Sequence, residues 1–206
     1  MVKIHKVQGD ITSETASSFS GSVAIDTEAM GLDPARDRLC LLQIYDGEGD
    51  CHLVQFIDKK FDAPNLKKLL SSNKTFIFHY ARHDLAAIKH DLDIMIKSVY
   101  CTKLSSKIAR TYSQGHGYKD LCKELLNIDI SKKQQSSDWS NPDLTKEQIN
   151  YAATDVMHLH AIKVKLDEIL KRQNRELLVE SCIKFLPIRV ELDLRGWEND
   201  IFSHSN

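Results

Sequence analysis

The chain has 206 residues, of which 42% are hydrophobic and 28% charged, and its net charge is −1. This length suits one domain that buries about 70% of its unfolded surface. The near-neutral charge gives no global sign of a nucleic-acid partner, although a basic groove can lie on a neutral protein. No apolar run approaches the roughly 20 residues of a membrane helix, and the first residues lack a signal-peptide core. Five cysteines without a CxxC pair favour a reducing compartment, so we expect a cytoplasmic protein without membrane contact.

The first part of the chain is typical of strands separated by turns. The predicted strands are Val2–Val7, Ser22–Ala29, Arg38–Tyr45 and Cys51–Ile57. Turn-forming residues fill the stretches between them, including Gly31–Asp37 and Asp46–Asp50. Because such short connections suit hairpins, we expect antiparallel neighbours here.

The rest of the chain alternates strands with helices and then becomes mostly helical. The predicted elements are a helix at Pro64–Ser71 capped by Asp62, a strand at Lys74–His79, a helix at Ala81–Asp91, a strand at Ser98–Cys101, and helices at Thr102–Tyr112, Tyr118–Leu126 and Lys146–Arg172. Thr145 and Gln148 form a capping box for the last helix. Three antiparallel strands followed by β-α-β units predict an α/β domain with a mixed sheet flanked by helices. We expect one domain over residues 1–206, with a core at about 20–170 and a C-terminal helix and tail at 171–206 as a possible oligomer contact.

Two acids interrupt a strand that is otherwise apolar, in the stretch "VAIDTEAMG". Asp26 and Glu28 are two apart, so their side chains point to the same face with roots roughly 7 Å apart. Partly buried, they would repel by about 2 kcal/mol at an effective dielectric near 20. A divalent cation such as Mg²⁺ or Mn²⁺ would turn this repulsion into coordination. A single acid pair is nevertheless more often a chance surface feature.

Two further stretches supply acids at places that a fold can bring together. In "FIFHYARHDLAAI", Asp84 follows a strand and opens a helix, where an acid is also favoured by the helix dipole alone. In "YAATDV", Tyr151 and Asp155 are four apart and share one helix face, at the edge of an apolar stripe. They can therefore face a cleft, or they can be an ordinary rim tyrosine and a solvated aspartate.

The order of these motifs resembles the DEDD exonucleases, in the branch whose last motif carries tyrosine. "DTE", "HYARHD" and "YAATD" match in sequence, "LLQI" follows the acidic strand, and "SSDWSNPDLTKEQINYAATDV" is similar to the ribonuclease D run into its last motif. The resemblance covers roughly residues 20 to 170. It implies a ribonuclease H-like fold in which Asp26, Glu28, Asp84 and Asp155 bind two divalent ions, Mg²⁺ or Mn²⁺. It also implies removal of nucleoside 5′-monophosphates from a 3′ end, with Tyr151 orienting the attacking water.

Within that family the chain is similar to a short bacterial group, nano-RNase C. The stretches that carry this likeness are "GSVAIDTEAMGLDPARDRLCLLQI", "IARTYSQGHGYKDLCKELLNIDISKKQQSSDWS" and "LDLRGWENDIF". The resemblance implies very short RNA substrates, especially diribonucleotides, and ring-shaped octamers. We expect the residues after the last predicted helix to be too few for the extra helical domains of ribonuclease D.

A pocket for a dinucleotide needs apolar groups against the bases and a cation at the phosphate. We expect Met30 and Leu32 on the base side and His79 near the 3′ nucleotide, with loop packing and a structural hydrogen bond as the alternatives. Candidates for phosphate contact are Lys103, Lys107, Arg110, His116 and Lys119, each of which is otherwise a solvated charge. Of the two tryptophans, Trp139 is expected to pack in the core and Trp197 at an interface.

Two other functions compete with this interpretation. The first is a broader exonuclease acting on longer RNA or on DNA with the same chemistry. The second is an inactive exonuclease fold kept as an RNA-binding scaffold, which the presence of all four acids and Tyr151 disfavours. The apolar end of the chain (Trp197, Ile201 and Phe202) is expected to dock on the protein's own core or across a symmetric interface.

Overall fold

The computed structural model describes residues 2–131, 134, 136–197 and 200–204. Across these residues the strands form one six-stranded sheet in the order β1-β4-β3-β2-β5-β6. The strands are β1 (Ile4–Gln8), β2 (Val23–Ala29), β3 (Leu39–Tyr45), β4 (Cys51–Gln55), β5 (Phe76–Phe78) and β6 (Val99–Cys101). The helices are α1 (Ser13–Ser18), α2 (Pro64–Leu70), α3 (Ala81–Leu92), α4 (Thr102–Ala109), α5 (Tyr118–Leu126), α6 (Lys146–Met157), α7 (Leu159–Arg172) and α8 (Glu176–Leu194).

The sheet is mixed, as predicted. Strand β2 is antiparallel to β3, β3 is antiparallel to β4, and β5 and β6 add in parallel on the other side of β2. The expectation of antiparallel neighbours is wrong for β1, which pairs in parallel with β4 at the edge of the sheet. The reason is a missed helix, α1, which lies between β1 and β2 and carries the chain away from a hairpin connection.

Helices cover both faces of the sheet. Successive side chains of β2 point to opposite faces, so they contact different helices. Ile25 belongs to a core that also contains Leu85 of α3. Ala24, one position earlier, belongs to the opposite core with Ala152 of α6. Because side chains alternate along a strand, Asp26 and Glu28 share the α6 face with Ala24, while Thr27 shares the α3 face with Ile25.

Two predicted features of helix ends have different outcomes. The capping box of Thr145 and Gln148 at α6 is confirmed. Asp62 does not cap α2, whose N-cap position is Ala63. Instead Asp10, distant in sequence, accepts hydrogen bonds from the backbone N–H groups of Asn65 at 2.9 Å and Leu66 at 2.8 Å.

The long helix predicted over Lys146–Arg172 is divided at His158 into α6 and α7. Helix α4 ends at Ala109, three residues before the predicted Tyr112. Among the described residues, none of the helices combines the length and the apolar composition needed to cross a membrane.

Candidate active site

Three carboxylates converge where β2 meets α6. Asp26, Glu28 and Asp155 each offer one oxygen atom, and these atoms lie within 4.8 Å of one another. The first two come from the same face of β2, and α6 packs against that strand. The spacing of two on the strand and the fold of the helix onto the sheet therefore produce the cluster that the sequence predicts.

The fourth predicted acid, Asp84, approaches from the other face of the sheet. It lies in the first turn of α3 and is 3% exposed. Its Oδ1 accepts a 2.7 Å hydrogen bond from Thr27 Oγ1. Asp84 is thus a neighbour of the three clustered carboxylates, and it is held by the residue between Asp26 and Glu28.

The electrostatics of the cluster favour a cation. Burial, followed by the charges of the other three acids, holds the pKa of Asp26 well above its ordinary value. Burial and the charges of Asp155 and Asp84 raise the pKa of Glu28 to about 9. Burial raises the pKa of Asp84 to about 7, against the opposing effect of the Thr27 hydrogen bond. Asp84 is buried and the other three acids are half-buried, and carboxylates that repel one another are hard oxygen ligands, so the donor set fits a divalent metal ion.

Gln43 supports Asp26 from the neighbouring strand. The two residues are directly paired across β2 and β3, and Gln43 Nε2 lies 3.5 Å from Asp26 Oδ2. Gln43 is fully buried, and its Oε1 has no hydrogen-bond partner in the part of the chain that the structure describes. Gln43 therefore places its side-chain amide beside the Asp26 carboxylate, within a strand that is buried throughout.

Tyr151 lies one helical turn before Asp155, at the edge of the same cluster. Its ring packs at a centroid distance of 6.0 Å from Trp139, which is buried as predicted. Burial, together with the charges of Asp155 and Glu28, raises the pKa of the Tyr151 hydroxyl above its ordinary value. The phenol therefore stays protonated near neutral pH and can donate a hydrogen bond.

The acids open into a cavity of about 620 Å³. Met30 and Leu32, the side chains predicted to face the bases, both line it and are 58% and 87% exposed. His79 lines it as well, and its Nδ1 lies 2.9 Å from Thr102 Oγ1. The structure thus brings these three predicted residues to the same cavity as Asp26, Glu28 and Asp155.

A lysine and a tyrosine form another part of the cavity wall. Tyr80 has a φ of +70°, a backbone conformation that is strained for a large side chain. Tyr80 is 45% exposed, and Lys103 Nζ lies 4.2 Å from the centroid of its ring. Lys119 also lines the cavity, so two of the predicted phosphate candidates lie there.

The other phosphate candidates lie outside the cavity lining. Arg110 is fully buried and donates to Ser106 Oγ, to the Gly115 carbonyl and to Glu124, so its predicted phosphate contact does not fit its position. The Nδ1 of His116 lies 2.9 Å from the same Ser106 hydroxyl. Lys107 is exposed on α4 and does not line the cavity. The hydrogen bonds of Arg110 therefore hold the loop between α4 and α5 in place.

The 3′–5′ exonuclease family matches residues 6–171 of the chain. The chain belongs to this family. Ribonuclease D from Gluconacetobacter diazotrophicus is 31% identical over 165 residues, which cover 80% of this chain and 42% of that protein. The chain therefore spans less than half the length of the ribonuclease D relatives that it matches.

Two solved structures of NrnC from Brucella melitensis match the chain along 99% or more of its length. NrnC bound to pGG has a TM-score of 0.94 and 46% identity, and all of both chains is covered. NrnC with bound Mg²⁺ has a TM-score of 0.92 and 44% identity, over 99% of this chain and 100% of that one. The predicted ribonuclease H-like fold is confirmed, and the acidic cluster fits a family that depends on divalent metal.

Several residues of this site were not predicted from the sequence. Gln43 had a usable signal, since a polar residue in a wholly apolar strand needs a buried partner. Thr27 is the middle residue of the acidic motif, and its role follows only once the two sheet faces are known. Tyr80 lines the cavity because of its strained backbone turn, and Tyr118 reaches the cavity from α5. Local sequence patterns predict neither position.

Proposed function

We propose that the protein is a 3′–5′ exoribonuclease that hydrolyses very short RNAs, above all diribonucleotides, to nucleoside 5′-monophosphates. The observation that carries the proposal is the convergence of Asp26, Glu28 and Asp155 at one end of a cavity with exposed apolar groups. A volume of about 620 Å³ lies within the range of small-ligand sites, which runs from about 300 to 1,000 Å³. Such a cavity suits a short substrate better than an extended strand.

We further propose that Asp26, Glu28, Asp84 and Asp155 hold two divalent ions, Mg²⁺ or Mn²⁺. When bound, such ions supply charge stabilisation at the scissile phosphate and promote ionisation of water. The mutual repulsion of these carboxylates, with raised pKa values at Asp26, Glu28 and Asp84, supports this assignment.

Tyr151 is assigned to the orientation of the attacking water. Its hydroxyl is protonated near neutral pH, because burial and the neighbouring carboxylates raise its pKa. A protonated phenol is a poor general base but a good hydrogen-bond donor. Its ring packs against Trp139, and its hydroxyl is in hydrogen-bond contact with Asp155.

Substrate contacts are assigned to the cavity wall. Met30 and Leu32 offer apolar surface to the bases, and His79, which lines the same cavity as the acids, is assigned to the 3′ nucleotide. Lys103 and Lys119 supply positive charge for the 5′ phosphate. The 46% identity with NrnC, a protein solved with bound pGG, supports a dinucleotide as the substrate.

A broader exonuclease acting on longer RNA or on DNA is the second candidate. A cavity of about 380 Å³ adjoins the first and shares Leu32, Tyr80 and His83 with it. That continuity gives a longer strand a path past Leu32. Substrate length therefore separates the two candidates.

Assembly into a ring-shaped octamer is proposed from the resemblance to nano-RNase C. The chain's apolar end supports a contact surface there, since Trp197 is 54% exposed and Phe202 is 76% exposed. Phe202 also packs against Phe185 of α8 at a centroid distance of 5.8 Å, so part of the tail docks on the chain's own helix. Neighbouring subunits would close the cavity and limit substrate length.

A time course on 5′-labelled RNAs of two, seven and about twenty nucleotides tests the proposal. With Mg²⁺ or Mn²⁺ we expect the dinucleotide to be cleaved much faster than the longer RNAs, and with EDTA we expect no cleavage. Equal rates on all lengths would favour the broader exonuclease. Cleavage that persists in EDTA would contradict metal dependence.

A further inference from the structure

Tyr118 makes an unusual contact with the backbone of the helix that carries Asp155. Its hydroxyl donates a 2.6 Å hydrogen bond to the Thr154 carbonyl and accepts one from the His158 N–H at 3.3 Å. In a continuous α-helix, the N–H of residue 158 would donate directly to the carbonyl of residue 154. The tyrosine hydroxyl therefore lies between these two backbone groups, and the His158 N–H is also directed at the Val156 carbonyl.

The helix breaks at this point. Helix α6 ends at Met157 and α7 begins at Leu159, with His158 between them at φ −105° and ψ −1°. A side chain that enters the backbone ladder is a recognised cause of a helix kink. The Thr154 hydroxyl also donates back to the Asn150 carbonyl at 2.7 Å, and such a bond bends helices further.

The break lies beside the acidic cluster. Asp155 directly follows Thr154, and Tyr151 lies one turn earlier on the same helix. The ring of Tyr118 lies 5.7 Å from the ring of His79 at the end of β5, and it lines the carboxylate cavity. One buried side chain from α5 thus connects the end of the sheet to the last turn of α6.

We propose that Tyr118 is a positioning residue whose inserted hydroxyl sets the placement of Asp155 and Tyr151 relative to Asp26 and Glu28. The proposal rests on the proposed metal-dependent exoribonuclease function. With the hydroxyl in place, the helix turns away after Asp155 and its last turn stays directed at β2. Without the hydroxyl, His158 and Thr154 can bond directly, and Asp155 moves as the helix straightens.

The competing explanation is that the hydroxyl only satisfies two buried backbone groups and contributes to stability like any other buried hydrogen bond. Tyr100 provides a matched control. Like Tyr118 it is 9% exposed, and its hydroxyl donates a 2.7 Å hydrogen bond to Asp167, but it lies outside the carboxylate cavity. Tyr100→Phe therefore removes an equally buried hydroxyl at a distance from the acids.

The test compares Tyr118→Phe, Tyr100→Phe and the wild-type protein in two measurements. Calorimetric titration with Mn²⁺ measures metal binding without any substrate. Cleavage of a diribonucleotide gives kcat and KM separately. If the wild-type protein cleaves no RNA, the proposed function fails, while the Mn²⁺ comparison still tests the role of Tyr118.

We expect Tyr118→Phe to lose about 10- to 100-fold in Mn²⁺ affinity or in kcat, with a smaller change in KM. Tyr100→Phe should match the wild-type protein in both measurements at a similar loss of thermal stability. Values for Tyr118→Phe within about twofold of the wild-type protein would overturn the proposal. A Tyr118→Phe variant that fails to fold, or equal losses in both variants, would also overturn it, because the hydroxyl would then act through overall stability.

Discussion

Thr27 Oγ1 donates a 2.7 Å hydrogen bond to Asp84 Oδ1, across the face of the sheet opposite to Asp26 and Glu28. The middle residue of the acidic motif therefore connects the two acids on the strand to the acid on the helix. Both partners are buried, with Thr27 8% exposed and Asp84 3% exposed. The bond therefore fixes the orientation of the Asp84 carboxylate beside the other acids.

Replacing Thr27 with valine should weaken the site while keeping its shape. The change removes the side-chain hydrogen-bond donor to the buried Asp84 carboxylate, which costs about 1–3 kcal/mol of unfolding free energy. We expect kcat/KM to fall by about tenfold or more, because the loss of a residue that orients a metal ligand typically reduces metal affinity or activity by about 10- to 100-fold. Thr27→Ser keeps the donor and should stay near the wild-type value. Equal activity of the valine and serine variants would show that the bond has no role.

Removing a carboxylate from the cluster should abolish activity without loss of stability. Asp155→Asn or Asp26→Asn deletes a metal ligand and at the same time relieves repulsion among buried acids. The metal-free variants should therefore melt at the wild-type temperature or above it. Asp129→Asn, which removes an exposed carboxylate paired with Lys123, is the control. A cluster variant that keeps more than about a tenth of the wild-type kcat in Mg²⁺ or Mn²⁺ would contradict the assignment.

The stability of the metal-free protein should fall as pH rises. Burial and neighbouring charges raise the pKa of Glu28 from 4.5 to about 9, and burial raises that of Asp84 from 3.8 to about 7. Since both folded-state values lie above the unfolded ones, their stabilising contribution is complete below about pH 4. It is lost as pH rises through the folded-state values. The melting temperature, measured in EDTA at pH values from about 4 to about 9, should therefore fall as pH rises.

Glu28→Gln supplies the control for this pH profile, because it removes one of the two titrating groups. Its melting temperature should depend less on pH than that of the wild-type protein. Mg²⁺ should also raise the wild-type melting temperature more at high pH than at low pH, because it competes with protons for the same oxygens. Parallel profiles for the two proteins would show that Glu28 does not titrate with a raised pKa.

Tyr151→Phe isolates the hydroxyl beside Asp155. The ring keeps its packing against Trp139, and only the hydrogen-bond donor is lost. We expect kcat to fall by about 10- to 1000-fold, the range for one positioned hydrogen-bonding group, with little change in Mn²⁺ affinity. An unchanged kcat, measured where chemistry limits the rate, would make Tyr151 a structural residue.

Truncation after Leu194 tests the link between assembly and substrate length. The residues removed include Trp197, whose backbone carbonyl accepts a hydrogen bond from Arg189, and the exposed Phe202. Light scattering should show smaller species than the full chain forms, and dinucleotide cleavage should fall more than cleavage of a seven-nucleotide RNA. A truncated protein with the parent's mass and length preference would limit the tail to local packing on α8.

The acids were predictable because their geometry is local. A period of two on a strand places Asp26 and Glu28 together, and a period of 3.6 on a helix places Tyr151 and Asp155 together. What the sequence could not indicate depends on partners distant in the chain. Arg110 has the pattern of a solvated helix charge, and its burial depends on acceptors that include Glu124, 14 residues later in the chain.

The predictions of two helix ends were wrong for the same reason: the residues that determine these ends lie far away in the chain. The carboxylate that caps α2 belongs to Asp10, which lies 55 residues before its partner Asn65. The break at His158 depends on Tyr118, 40 residues earlier. Helix propensity and apolar periodicity continue through that break, so no local pattern predicts it.

The most direct test of the central claim is hydrolysis of a 5′-phosphorylated diguanylate in H₂¹⁸O with Mn²⁺, followed by mass spectrometry of the products. We predict guanosine 5′-monophosphate as the sole nucleotide product, with ¹⁸O in the phosphate of the molecule released from the 3′ end and none in the other. A product with a 3′-phosphate, or the same yield after Asp155→Asn, would contradict the account.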